Sequence, residues 1–172
     1  MNAVRVAFAA VLSALLFAPG CGYRWGSTYD ANVRTIAVPI FENDTFNTGL
    51  EVELADALAK TLQRATPWRV TRQANADTTI AGVIRGSELD LLSTNPVTGL
   101  AQEQAITYTV DFEWRDNRTG ELILERQNFQ SATTFIPAQG LDGSPGERYE
   151  LGSRDAVEEL ADRIVAELRG SW

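Results

Sequence analysis

Two amphipathic helical stripes flank a series of strand-like segments, and this order limits the folds that the chain can adopt. The first stripe extends over residues 48–65 and the second over residues 154–169. Each repeats its apolar residues at the spacing of one helix face. The first stripe consists of Leu50, Leu54, Leu58 and Leu62. Because such faces are buried against other elements, the sequence predicts an α+β fold.

The segment from Ile106 to Trp114 gives the strongest strand signal, since apolar and polar residues alternate along it. Such alternation is typical of an antiparallel strand with one buried face. A turn over residues 116–120 and a partner strand over residues 121–129 complete a predicted hairpin. A further strand is predicted from Arg34 to Phe41, with a bulge or a sheet edge at Pro39 within it.

The remaining segments follow from turn and cap residues. Strands are predicted over residues 68–72 and 78–85, the second with a possible extension to residue 92, and a mobile loop over residues 138–152. Thr48, with Glu51 three residues later, is predicted to cap the first helix, and Ser153 the second. The predicted architecture is α+β, with two amphipathic helices packed on one face of a four- to five-stranded, mixed and largely antiparallel sheet. The other face is predicted to be polar, covered either by solvent or by another molecule.

Cys21 is the only cysteine, and it directly follows a short apolar segment that resembles an export signal. Arg5 precedes this segment, which covers residues 6–18 and is shorter than the ~20 residues that span a bilayer. A small residue followed by cysteine resembles the bacterial lipobox, in which the thiol is acylated and the chain is cut just before it. Pro19 departs from the usual pattern of small residues there. Lipidation of Cys21 is favoured over a plain secretory signal.

These features predict the organisation of the chain and its location. Residues 1–20 are expected to be a cleaved lipoprotein signal peptide, residues 21–33 a lipidated N-terminus and tether, and residues 34–172 a single α+β domain. Gly22, and not the aspartate that commonly retains lipoproteins in the inner membrane, follows the cysteine. By that resemblance the protein is expected at the periplasmic face of the outer membrane, where its acyl chains anchor it.

The composition argues against an enzyme. The chain contains no histidine, and lipidation would use its single thiol, so histidine-dependent catalysis and thiolate or histidine metal sites are not expected. Neither a metal nor a cofactor is predicted, apart from the covalent lipid. The net charge is −8, with 15 Lys+Arg against 23 Asp+Glu, which argues against nucleic acid as a partner.

Several segments in order resemble the lipopolysaccharide-assembly lipoprotein family LptE. They are Cys21-Gly22-Tyr23, the stretch from Arg34 to Phe41 with Asn43 and Thr45, Leu50-Glu51 at the start of a helix, Ala76-Asp77, Thr119-Gly120 and Arg154-Asp155-Ala156. The resemblance covers essentially the whole predicted mature chain. It implies two helices packed against a four-stranded mixed sheet. It also implies a plug that sits inside the LptD β-barrel and is needed for the barrel's assembly. Such a protein binds lipopolysaccharide and assists its insertion into the outer leaflet.

Lipopolysaccharide is anionic, so direct binding by this acidic chain would need local arginines. Arg85, Arg115, Arg118 and Arg126 lie on or next to the central strands and the hairpin turn. Arg115, Arg118 and Arg126 are the predicted contacts. The alternative interpretation is that they are ordinary surface arginines paired with Glu113, Asp116 and Glu125.

A second resemblance leads to a different class of function. The stretch from Ile36 to Asn43, followed by a helix, also resembles secretion-channel lipoproteins of the curli type and the N-terminal domain of the Tol system's periplasmic propeller protein. Such a protein would act by oligomerisation or by contact with other envelope proteins. A lipid-anchored hydrolase is a third and remote alternative.

Overall fold

The computed structural model describes residues 33–97, 99, 101–137 and 146–170. The predicted signal peptide, Cys21 and the tether up to residue 32 therefore lie outside the described residues. Helix α1 covers Leu50–Ala65 and buries the predicted leucine stripe almost completely. The prediction that Thr48 caps this helix is wrong. The cap is Gly49, at a φ of 95° that suits glycine and not threonine, and its N–H donates to the Glu51 carboxylate.

The predicted strand from Arg34 to Phe41 is divided in two. Strand β1 covers Thr35–Ala37 and strand β2 covers Glu42–Asn43, with Pro39 in the interruption between them. Both lie parallel to the same neighbouring strand, β4. The predicted irregularity at Pro39 is confirmed, because proline has no N–H to donate to a ladder.

The other strands match their predicted order, and some are longer than predicted. Strand β3 covers Arg69–Val70 and is followed by a 3₁₀ turn at Gln73–Asn75. The long strands are β4 (Thr78–Thr94), β5 (Ala101–Asp116) and β6 (Leu122–Phe135). The sheet order is β3-β1-β4-β5-β6, in which β1 pairs in parallel while β4, β5 and β6 form an antiparallel meander.

Helix α2 covers Gly146–Gly170 and begins well before the predicted position. The predicted loop over residues 138–152 is therefore wrong for residues 146–152, while residues 138–145 lie outside the described residues. The additional helical turns contact strand β6, because the ring centroids of Tyr149 and Phe135 lie 6.4 Å apart. Ser153 lies inside this helix and not at its cap, and its side chain meets a strand residue instead.

Both helices pack on one face of the sheet, as predicted, and the fold class is confirmed. Strand β5 alternates between buried apolar residues and half-buried polar ones along its central part. Its Trp114 is completely buried and lies 5.2 Å from Trp68, measured between ring centroids. The described sheet has six strands because the first predicted strand is interrupted. The core thus lies between the helices and one sheet face, and the opposite face is left uncovered by them.

Candidate functional site

The sheet face opposite the helices is the main candidate for a contact surface, and we call it the open face. Three neighbouring strands supply its side chains. They are Ala81, Val83 and Arg85 on β4, Asp111 and Glu113 on β5, and Glu125 on β6. These residues line part of a shallow cavity of about 400 Å³, and Ile40 adds an apolar side chain that is 63% exposed. The open face thus combines a small apolar floor with charged walls.

Arg85 connects several elements across the open face. Its Nη1 lies 2.6 Å from Oδ2 of Asp44, which follows β2, and its Nε lies 2.7 Å from Oδ2 of Asp111 on β5. Oδ1 of Asp111 in turn accepts a 2.7 Å hydrogen bond from the backbone N–H of Asn128 on β6. The hydrogen bonds from Arg85 and then from Asn128 lower the pKa of Asp111. This network fixes the relative positions of three strands and the segment after β2.

Arg115 lies near the end of β5, and Arg118 lies in the turn that follows. Nη2 of Arg115 is 2.6 Å from Oε2 of Glu113, and its Nη1 donates to the carbonyl oxygen of Gly120 at 3.1 Å. The hydrogen bond to Glu113 raises the pKa of Arg115. The backbone N–H of Arg118 donates to Oδ1 of Asp116 at 2.7 Å. Its guanidinium, by contrast, forms no ion pair within the part of the chain that the structure describes.

Arg126 is separated from these two arginines. It is opposite Phe112 in the β5–β6 register and faces the helices, where its Nη2 lies 2.8 Å from Oε2 of Glu167 on α2. Of the three predicted contact residues, Arg115 and Arg118 therefore lie at the β5–β6 end of the sheet, whereas Arg126 faces the helices. The predicted pairing of Arg115 with Glu113 is observed, whereas Arg126 pairs with Glu167.

The charge balance of the open face indicates where an anion could bind. Glu113 and Glu125 are directly opposite each other on adjacent strands, an arrangement that repels further negative charge. Arg85 is already paired with two carboxylates. An anionic group would thus meet net negative charge at the centre of the face. The end of the β5–β6 turn, at Arg118, is electrostatically the better position.

The opposite end of the long strands carries a feature that sequence reasoning did not identify as functional. Leu89, Leu91 and Leu92 on β4 are each about half exposed, and Val97 in the following turn is 90% exposed. Exposed apolar residues grouped at one end of an element are typical of a surface that contacts other molecules. The signal in the sequence was the apolar run at residues 89–92 in a segment already predicted as a possible strand extension.

Two further properties concern metals and membranes. Among the residues that the structure describes, no group of His, Cys, Asp or Glu is arranged to hold a metal ion. None of the described helices is long and apolar enough to cross a membrane.

The fold is an α+β domain with two helices on one side of a mixed sheet and a charged sheet face on the other. Residues 33–168 match the family model for LptE, described as lipopolysaccharide-assembly. The chain therefore belongs to the LptE family, and the resemblance noted from the sequence is confirmed. No curated protein matches the sequence.

Solved structures show the same fold in other bacterial proteins. The rare lipoprotein B of Shewanella oneidensis is 16% identical, with a TM-score of 0.52, and the match covers 80% of this chain and 96% of that chain. An uncharacterized lipoprotein B of Nitrosomonas europaea is 15% identical, with a TM-score of 0.52 and coverage of 88% and 94%. A hypothetical protein of Chlamydia trachomatis is 12% identical, with a TM-score of 0.56 and coverage of 81% and 97%. At these identities the similarity is one of fold.

Proposed function

We propose that this protein is a lipid-anchored partner of an LptD-like β-barrel at the periplasmic face of the outer membrane. There it supports barrel assembly and helps to insert lipopolysaccharide into the outer leaflet. Membership of the lipopolysaccharide-assembly family supports this general role. The protein acts by contact and not by catalysis, and its covalent lipid, on Cys21, serves only as an anchor.

The observation that carries the barrel partnership is the asymmetry of the sheet. Two helices bury one face, while the open face presents charged side chains such as Arg85, Asp111 and Glu113, which are held in place by ion pairs. The interior of an outer-membrane barrel is polar. A rigid face of paired charges matches such a wall, because ion pairs that are already formed lose little side-chain entropy on docking.

Direct contact with lipopolysaccharide is proposed for the β5–β6 turn. Arg118 offers a guanidinium that is not used in a described ion pair, and Arg115 lies at the same end of the sheet. Guanidinium groups bind phosphate oxygens through paired hydrogen bonds. Arg126 would have to leave Glu167 in order to bind an anion, so it is the weakest of the three proposed contacts.

The test is purification of the full chain from native membranes with a C-terminal tag. We expect a β-barrel protein in a one-to-one ratio, together with a mass for the mature N-terminus that shows acylated Cys21. The matched control is Cys21→Ala, which should remain unprocessed and lose the barrel. A homo-oligomeric ring without a barrel would contradict the proposal and favour the secretion-channel or Tol-like alternative. An unmodified thiol would contradict the anchor.

A further inference from the structure

Strand β6 (Leu122–Phe135) is the last strand in the sheet order. Among the described residues it pairs only with β5, so its outer edge carries backbone N–H and C=O groups without a neighbouring strand. Such edges readily accept another strand, and proteins commonly block them with charges, prolines or bulges. The two halves of β6 differ in this respect.

The first half of β6 has several of these blocking features. Glu125 and Arg126 are exposed and charged. The register against β5 then shifts between Phe112 and Val110, where β6 contains an extra residue. Asn128 adopts a φ of 52° in this bulge and donates its N–H to Asp111. A bulge of this kind bends the strand and disrupts regular pairing.

The second half, from Phe129 to Phe135, has none of these features. All seven of its residues pair with β5 in unbroken register, and the segment FQSATTF contains no charge, proline or glycine. The exposed side chains are those of Gln130, Ala132 and Thr134, which are small or uncharged. This composition permits close approach of another strand. We call Phe129–Phe135 the free edge.

Helix α2 contacts the free edge at both ends of the edge. The guanidinium carbon of Arg163 lies 5.2 Å from the ring centroid of Phe129. At the other end, a Cβ at Gly152 would lie 2.7 Å from the ring of Phe135, so the helix backbone packs directly on that ring. Ser131, between them, is 1% exposed. The edge is thus preorganised, which reduces the entropy lost when a strand adds to it.

The chemistry of the free edge limits what can occupy it. Regularly spaced backbone donors and acceptors are satisfied by another extended backbone, as in β-strand addition. A second copy of this chain is disfavoured, because pairing would bring together two bodies that each carry a net negative charge. The strands of a closed barrel have no free edges of their own. These two arguments favour an extended segment that is not itself a strand of the barrel wall.

We infer that the free edge binds an extended, uncharged or basic segment of the partner protein, which adds to the sheet as a further strand next to β6. This inference rests on the proposed function, since it assigns the segment to the barrel partner. It differs from that proposal in naming a backbone contact at the sheet edge, whereas the open face supplies side-chain contacts.

Amide hydrogen exchange, measured on the full chain alone and in the purified barrel complex, tests this inference. In the free chain we expect every second amide of residues 129–135 to exchange rapidly, because alternate N–H groups of an edge strand point away from the sheet. In the complex the exchange of those amides should be slowed by about tenfold or more. Rapid exchange of the same amides in a complex that contains the barrel would overturn this inference alone. Absence of any barrel would overturn the proposed function together with it.

A second measurement uses charge at the free edge. The variant Gln130→Lys places a lysine on the edge strand, and Gln63→Lys makes the same chemical change at an exposed position of α1. With equal thermal stability, we expect Gln130→Lys to reduce the barrel recovered per tagged chain severalfold and Gln63→Lys to leave it unchanged. Equal recovery from both variants would count against the edge contact. Slow exchange of these amides in the free monomer would also count against it. Dimers that form with increasing concentration would do the same and would identify a second copy of the chain as the occupant.

Discussion

The phenolic oxygen of Tyr108 lies 2.8 Å from the hydroxyl oxygen of Ser153 and thereby joins the centre of β5 to α2. Tyr108 is fully buried, and burial raises the pKa of its phenol. A buried hydroxyl needs a hydrogen-bond partner. This contact helps to explain why the helix continues through Ser153, where a helix start was predicted.

The coupling between these two hydroxyls can be measured with a double-mutant cycle. Ser153→Ala should lower the free energy of unfolding by about 1 kcal/mol or more, because it removes a partner of a buried hydroxyl. The double mutant, which also carries Tyr108→Phe, should be destabilised by less than the sum of the two single mutants. The expected coupling free energy is about 1 kcal/mol. Urea unfolding of the four proteins provides the test. Strict additivity would show that the hydrogen bond contributes nothing to stability.

Gly82 on β4 is predicted to tolerate no side chain. A Cβ there would clash with the carbonyl oxygen of Asp111 and would lie 2.7 Å from the buried ring of Phe41. We expect Gly82→Ala to destabilise the fold by about 1–3 kcal/mol through overpacking. Gly86→Ala is the matched control, because its Cβ would come no closer than 3.6 Å to Thr109. Similar unfolding midpoints for the two variants would contradict this prediction.

Asp77 should make the stability of the fold sensitive to acid. Its Oδ2 accepts hydrogen bonds from the backbone N–H groups of Arg34 and Thr35 and from the Thr35 hydroxyl, at 3.0, 2.9 and 2.8 Å. These bonds, the hydroxyl's first, lower the pKa of Asp77 from its ordinary value of 3.8. The stabilisation is therefore fully present above the unfolded-state pKa and is lost as the pH falls through the lower folded-state pKa.

Urea unfolding between neutral pH and about pH 2.5 checks this expectation. Asp77→Ala should be less stable than the parent at neutral pH and should lose less stability on acidification. Thr35→Val, which removes only the hydroxyl, should give an intermediate slope. If all three proteins lost stability in parallel, the carboxylate of Asp77 would not be responsible for the acid sensitivity.

The proposed anion site is tested by reversing charge at the β5–β6 turn. The double change Arg115→Glu with Arg118→Glu should weaken lipopolysaccharide binding by about tenfold or more, because it removes charge-assisted hydrogen bonds. The free energy of unfolding should change by no more than about 0.5 kcal/mol, as is usual for a surface substitution. Binding of labelled lipopolysaccharide to the purified chain provides the measurement.

Two further variants serve as comparisons in this assay. Arg64→Glu breaks an exposed ion pair, to Asp162, between the two helices and should leave binding unchanged. Arg126→Glu tests the predicted contact that faces α2. If this change reduced binding while the turn variant did not, the site would lie beside the helix and not at the turn.

Periodicity in the sequence was sufficient to predict most of the elements and their order. The stripe that begins at Leu50 and the alternation that ends at Trp114 are properties of nearest neighbours along one helix or strand, and both are buried as predicted. Pro39 likewise acted locally, because a missing N–H interrupts a ladder whatever the strand pairs with. The family resemblance was recognisable for the same reason, since it depended on the order of such local signatures.

The candidate site was predicted only in part. The sequence identified the arginines and their acidic neighbours, and the ion pair of Arg115 with Glu113 follows from alternation along a single strand. The partner of Arg126 could not be predicted in this way. A bulge changes the register of β6, and Glu167 reaches this arginine from a helix 41 positions further along the chain.

What the sequence by itself determined, then, was where the central parts of the helices and long strands lie, which faces are apolar, and that the chain is acidic and has a single cysteine. Only the tertiary structure decided that α2 begins at Gly146, that Arg115 and Arg126 lie on opposite faces of the sheet, and that β6 carries a free edge. Local patterns depend on neighbouring side chains, whereas these features depend on contacts between distant segments, whose energies no single stretch of sequence contains.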